Sequence, residues 1–236
     1  MDESSDATEN MPQRSLPQRS ALYIALRTAA ILLAFTLVFT ALMASAYYLT
    51  APRVAASAQA EKLRLLAVVL APSIHDNDLL KDAITLPPNS ALGTSENTRL
   101  YRARKNGQPV ALVFEAAAPD GYSGKIGLLL AVSSKGQLIA LRVTQHKETP
   151  GLGDYIDPKK DRNKVRPWIS QFANIGFDSV PPEQWHVKKD GGHFDQMAGA
   201  TISARAVTNA SGRALAWANT NHDKLFSLPA NSLYQE

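Results

Sequence analysis

From Thr28 to Leu49 the chain reads TAAILLAFTLVFTALMASAYYL, 22 residues without a charged side chain. At a rise of about 1.5 Å per residue, a helix of this length crosses a hydrocarbon core of about 30 Å. Only a helix lets one segment satisfy its own backbone polar groups in lipid. Tyr47 and Tyr48 end the run, where aromatic rings favour the membrane interface. A buried core helix would need a polar face somewhere along this length, and none is present. Ala44-Ser45-Ala46 resembles a signal-peptide cleavage site, but the apolar part of a signal peptide is about 7–15 residues and this run is longer. An uncleaved transmembrane helix over residues 28–49 is therefore expected. Arg14, Arg19 and Arg27 precede it while Arg53, Lys62 and Arg64 follow, so charge counting does not orient it. Residues 1–20 are polar and aperiodic and read as a tail.

This run accounts for much of the apolar surplus in a chain that is 45% hydrophobic and 19% charged. What remains has a net charge of only +4, too mild to argue for a nucleic-acid partner. The chain has no cysteine, which excludes a disulfide framework, an iron–sulfur centre, a thiol nucleophile and a thiolate zinc site.

After Pro52 the apolar positions Val54, Ala58, Leu65, Leu66, Val69 and Leu70 suit a helix that Pro72 stops. SIHDNDLL and LPPNSALG read as turns and a loop; His75, Asp76 and Asp78 have no second histidine at ligand spacing, so no metal site is expected. Val110–Ala116, Ile126–Val132 and Leu138–Val143 read as strands. The last two are joined through Ser134-Lys135-Gly136 as a hairpin, with Ile139, Leu141 and Val143 on one face and Arg142 on the other. Pro167-Trp168-Ile169 through Phe172 reads as a short helix, and Ser203–Asn219 as an amphipathic one. The fold class expected is α+β: a single N-terminal transmembrane helix followed by a mixed α+β domain over residues 50–236.

Three segments bear on chemistry. Asp195-Gln196-Met197-Ala198-Gly199-Ala200-Thr201-Ile202-Ser203 leads into the last helix. Gly199 and Ala200 leave the backbone open, and Thr201 offers a hydroxyl beside a helix N-terminus, where free N–H groups favour phosphate. Thr201 would contact a phosphate, be esterified to one, or merely cap the helix, as Ser203 also would. His146-Lys147-Glu148-Thr149-Pro150-Gly151-Leu152-Gly153 follows a strand, and its Pro150-Gly151 demands a tight turn with Gly151 at positive φ. Gly121-Tyr122-Ser123-Gly124 is a glycine-bracketed turn that matches no nucleotide fingerprint. His146, His186, His193 and His222 are scattered and read as structural or surface residues. Lys159, Lys160, Arg162, Lys164 and Arg166 read as a solvated loop, with a docking surface for a partner subunit as the sharper alternative.

In this order, HDNDLL, GYSGKIGLLLAV, HKETPGLG, WISQF and VKKDGGHFDQMAGATISARAV resemble the G subunit of the Rnf-type ion-translocating electron transport complex, called Rsx in some bacteria, over nearly the whole chain. The resemblance implies an FMN-binding domain with its flavin-site core at about 98–220, and one FMN per chain held through a phosphoester to Thr201. Gly199, Ala200 and Ser203 complete the attachment motif, and Asp195 is the upstream acid read by a separate flavin transferase that takes FMN from FAD. Glu148, Thr149, Pro150, Gly151 and Leu152 are candidates for one wall of the flavin site, and Lys147 or Lys188 for neutralising phosphate. The resemblance further implies a single-pass protein of the bacterial inner membrane, with residues 1–27 cytoplasmic and 50–236 periplasmic, partnered by the other subunits of the complex. Two positions depart from the pattern: Ala198 stands where many such sites have Ser or Thr, and Lys125 where proline is expected. The competing readings are the FMN subunit of a sodium-translocating NADH:quinone reductase and a non-redox, membrane-anchored binding or assembly module.

Overall fold

The computed structural model describes residues 18–235, so residues 1–17 of the expected tail lie outside the described residues. The chain falls into two compact units, Met1–Gln59 and Ala60–Glu236. Helix α1, Gln18–Val69, contains the apolar run. Its stretch Leu22–Ala51, 30 residues, is long and apolar enough to cross a membrane and none of it is buried. At about 1.5 Å per residue this stretch exceeds the span that the uncharged core alone requires. As expected, Pro72 lies just past the helix end, where it opens a short 3₁₀ turn, Pro72–Ile74.

The second unit is built on an antiparallel meander of six strands in chain order: β1 Ala83–Leu86, β2 Thr98–Lys105, β3 Gln108–Ala118, β4 Ile126–Ser133, β5 Gln137–Gln145 and β6 Ile175–Gly176. Helix α2, Thr201–Ser227, packs on one face. On that side Leu112, Phe114, Leu128 and Leu130 meet Ala204, Val207, Ala214 and Trp217, with the Phe114 and Trp217 rings edge to face at 5.8 Å. On the opposite face Ala111, Val113, Leu129 and Ala131 form a second core with Leu66, Val69, Leu70 and Leu79. A sheet covered on both faces has apolar residues at successive positions, which is why Ile126–Val132 is apolar throughout rather than alternating.

The strands expected at 110–116, 126–132 and 138–143 are present, and so is the hairpin through 134–136. One expectation fails inside β5. Val132 pairs with Leu138 and Ala131 with Ala140, so Ile139 is an extra residue in a bulge. The bulge moves Ile139 to the face of the second core while Leu138 and Leu141 stay on the α2 side. Strand β2 escaped sequence analysis because Arg99, Arg102, Arg104 and Lys105 give it a loop-like composition. Arg102 is nevertheless 2% exposed. Its guanidinium donates to the carbonyls of Leu225, at 3.1 Å, and Leu228 at the C-terminal end of α2, and pairs with Asp82. Arg104 adds a 2.8 Å bond to Asp82 and a 2.9 Å bond to the Phe226 carbonyl. Two arginines thus satisfy the carbonyls that every helix leaves unpaired at its end. Helix α2 is longer than the expected 203–219 because Leu225 and Phe226 return an otherwise polar last turn to the core.

Candidate functional site

The register of the β4–β5 hairpin sets one end of the sheet. Gly127 pairs with Gln145, so the turn before β4 and the loop after β5 emerge side by side. The start of α2 reaches the same end. Together they enclose a cleft of about 240 Å³ lined by Tyr122, Glu148, Thr149, Leu152, Gly153, Gly199, Ala200, Ile202 and Ser203.

Glu148 holds the three segments together. Buried to 4% exposure, it accepts a hydrogen bond from Ser203 Oγ in the first turn of α2, and one from Ser123 N at 3.1 Å. A buried carboxylate needs such donors, and the positive end of a helix favours it further. The loop beyond is shaped by Gly151, at φ +77°, whose N–H donates to Asp154 Oδ1 at 2.9 Å. A Cβ on Gly153 would stand 2.5 Å from Ser203 Oγ and 2.8 Å from Glu148 Oε2. Only glycine admits this approach. Gly153→Val is therefore expected to destabilise the domain by roughly 1–3 kcal/mol through overpacking, read as a lowered melting temperature.

Tyr155 fixes the other side of the attachment segment. Its hydroxyl donates to the Ala200 carbonyl at 3.3 Å and accepts from Met197 N at 3.2 Å. Burial pushes the phenol above its ordinary pKa, so it stays a donor at neutral pH. Tyr155→Phe should cost about 1–2 kcal/mol in thermal unfolding, because Met197 N and the Ala200 carbonyl both lose a partner.

The expected site residues do not all arrive at one place. Glu148, Thr149, Leu152, Gly199, Ala200 and Ser203 line the cleft. Pro150 and Gly151 form its exposed outer turn and are not on the lining. Thr201 is the first residue of α2 and is half-buried; it stands between Ala200 and Ile202 of the lining but is not itself on it. It is not a cap: Ala200 holds the N-cap position without any side-chain hydrogen bond. Among the described residues the Thr201 hydroxyl has no hydrogen-bond partner. Ser203 is not a cap either, since its hydroxyl is committed to Glu148. Asp195 lies on the outer side of the segment, 2.6 Å from Lys188 Nζ, with its carbonyl accepting from Trp168 Nε1 at 2.6 Å. Lys188, considered for phosphate, is thereby paired elsewhere. Tyr122, Gly153, Ile202 and Tyr155 were not singled out as site residues. The glycines around Tyr122 marked a turn, but only strand register brings that turn against Glu148. Among the described residues no group of three or more His, Cys, Asp or Glu is placed to hold a metal ion.

The arrangement suits a ligand with an apolar part and an anionic group. Tyr122, Leu152 and Ile202 are 65%, 52% and 43% exposed, an apolar rim that solvent alone would not favour. Gly199, at φ +82°, has open space where a Cβ would stand, next to the uncapped first turn of α2. Such a turn presents backbone N–H groups and the positive end of the helix dipole to an anion.

Comparison with known proteins agrees with this chemistry. Residues 121–216 match the family model described as FMN-binding domain, and residues 22–69 match the RnfG N-terminal region. A protein of Shewanella baltica (strain OS223), named as the G subunit of an ion-translocating oxidoreductase complex, is 41% identical over 84% of this chain and 91% of its own length. Proteins of the same name from Photorhabdus laumondii subsp. laumondii and Vibrio cholerae serotype O1 (strain M66-2) are 42% and 38% identical over 85% and 84% of this chain, and over 92% of their own lengths in both cases. With its FMN-binding domain and its N-terminal apolar helix, this chain belongs to the G-subunit family of ion-translocating oxidoreductase complexes.

Proposed function

We propose that this chain is the membrane-anchored flavin carrier of an ion-translocating oxidoreductase complex, with one FMN held through a phosphoester to Thr201 Oγ1. The observation that carries the reading is the Thr201 hydroxyl, without a hydrogen-bond partner among the described residues, in the uncapped first turn of α2 between Ala200 and Ile202 of an apolar-rimmed cleft. Attachment forms a Thr201 Oγ1–phosphorus bond and breaks the pyrophosphate of FAD. AMP leaves and the hydroxyl proton passes to a base on the transferase. Asp195, outside the cleft, is where that transferase would recognise the segment. Bound FMN supplies one- and two-electron chemistry through its ring system. The residues of this chain orient it. Thr201 and the first N–H groups of α2 fix the phosphate, Tyr122, Leu152 and Ile202 shield the ring from water, and Thr149 and the turn backbone offer hydrogen bonds.

In this reading Leu22–Ala51 anchors the chain in the bacterial inner membrane and the domain faces the periplasm. Arg27 is the one charge in that stretch, so the stretch has no internal acid to relay an ion. The ion pathway belongs to the other subunits, and this chain contributes electron transfer without a dissociable substrate. The shared name of the relatives supports this assignment over the FMN subunit of a sodium-translocating quinone reductase. Co-expression with and without a flavin transferase tests it. A flavin-fluorescent band on a denaturing gel should appear only with the transferase. A colourless chain in both cases would leave the non-redox module as the better reading.

A further inference from the structure

Between the cleft wall and Trp168 the chain carries five cations in eight residues, Lys159, Lys160, Arg162, Lys164 and Arg166. All five are exposed, and none takes part in the ion pairs found among the described residues. The acid among them, Asp161, is buried and turned inward. Its carboxylate accepts from Asn163 N at 2.9 Å and Trp168 N at 2.6 Å, so it does little to neutralise the outer surface. The loop has a built conformation: Asp157 Oδ1 accepts from Lys159 N at 2.9 Å, Asn163 Oδ1 from Arg166 N at 3.0 Å, and Lys164 Nζ donates to the Lys159 carbonyl at 2.8 Å. Val165 is 97% exposed in the middle of the cations.

Its position gives the charge a use. The Arg162 guanidinium lies 4.0 Å from where a Cβ on Gly151 would stand, in the turn that leads into Leu152 and Gly153 of the cleft wall. On the other side Asn163 and Arg166 share a shallow cleft with Tyr155, Trp168 and Met197, behind the attachment segment. We propose that this loop is the docking surface for an acidic face on another subunit of the complex, the one that exchanges electrons with the flavin. The inference rests on the flavin reading of the neighbouring cleft. Complementary charge steers and aligns a partner, and an apolar residue ringed by cations suits the water-excluding centre of a protein contact better than it suits a lipid headgroup.

The absence of cysteine makes the test direct, because Val165→Cys introduces the only thiol in the chain. The chain is labelled there with a benzophenone maleimide, assembled into the full complex and irradiated. The expected product is an adduct on an Asp/Glu-rich segment of another subunit. Its yield should fall about fivefold or more at roughly 0.5 M salt, and again when Lys159→Glu and Arg162→Glu are added. The neutral pair Lys159→Gln and Arg162→Gln should give a smaller drop with unchanged thermal unfolding, which separates lost charge from a damaged fold. An absent adduct, one confined to lipid, or one indifferent to salt and charge reversal overturns the proposal. Flavin content of the same samples is read separately. Flavin present with no salt-sensitive adduct overturns the docking surface alone, whereas the adduct present with no flavin overturns the reading of the cleft and supports the surface.

Discussion

Thr201→Ala is expected to remove all flavin that survives denaturation, with little effect on the fold. The phosphoester needs an oxygen on this Cβ, and alanine has none. The hydroxyl has no hydrogen-bond partner among the described residues, and alanine is a good helix former, so thermal stability should change by less than about 1 kcal/mol. Thr201→Ser keeps the oxygen and should retain a fluorescent band on a denaturing gel. Ser203→Ala makes the contrast. It removes a donor to buried Glu148 rather than an acceptor for FMN, so it should cost about 1–3 kcal/mol in stability and still yield a modified chain. A fluorescent Thr201→Ala band would transfer the attachment to another residue.

The largest effect on stability is expected from Arg102→Ala. This guanidinium joins strand β2 to Asp82 and to the last carbonyls of α2 while almost wholly buried. Its removal leaves those carbonyls without their donor and Asp82 with Arg104 as its remaining ion-pair partner and a 3.4 Å bond from Asn77 Nδ2. Breaking a buried ionic network by deleting one partner costs roughly 3–5 kcal/mol. For a domain of this size that corresponds to a fall in melting temperature of roughly 6–20 °C. Arg102→Lys should recover only part of it, since a single ammonium cannot serve a carboxylate and several carbonyls at once. Thr201 is at the opposite end of α2, about 40 Å away along a helix of 27 residues. Folded Arg102→Ala protein should therefore still accept FMN. Unfolding followed by circular dichroism, beside gel fluorescence, separates the two effects.

What sequence analysis recovered reflects how local the governing physics is. The apolar helix, the strands beginning near Val110, Ile126 and Leu138, and the helix after Gly199 each follow from composition and spacing within a few residues. Arg102 hid β2 because its burial depends on Asp82 and on carbonyls more than 120 positions away. The bulge at Ile139 is a matter of pairing with β4, which no pattern within β5 reveals. At the site, the hydroxyl of Thr201 and the turn at Gly151 were legible as local chemistry. Tyr122, Gly153 and Ile202 were not, because they become cleft walls only when the β4–β5 register and the start of α2 bring three loops together. Pro150 and Gly151 show the converse: they shape the loop without lining the cleft.

The intact mass of the chain co-expressed with a flavin transferase, followed by tandem mass spectrometry of the peptide spanning Asp195–Arg205, tests the central claim most directly. The phosphoester reading predicts an increase equal to one FMN less one water, located on Thr201. An unmodified mass, or the same increase located on Ser203 or outside this peptide, would contradict it.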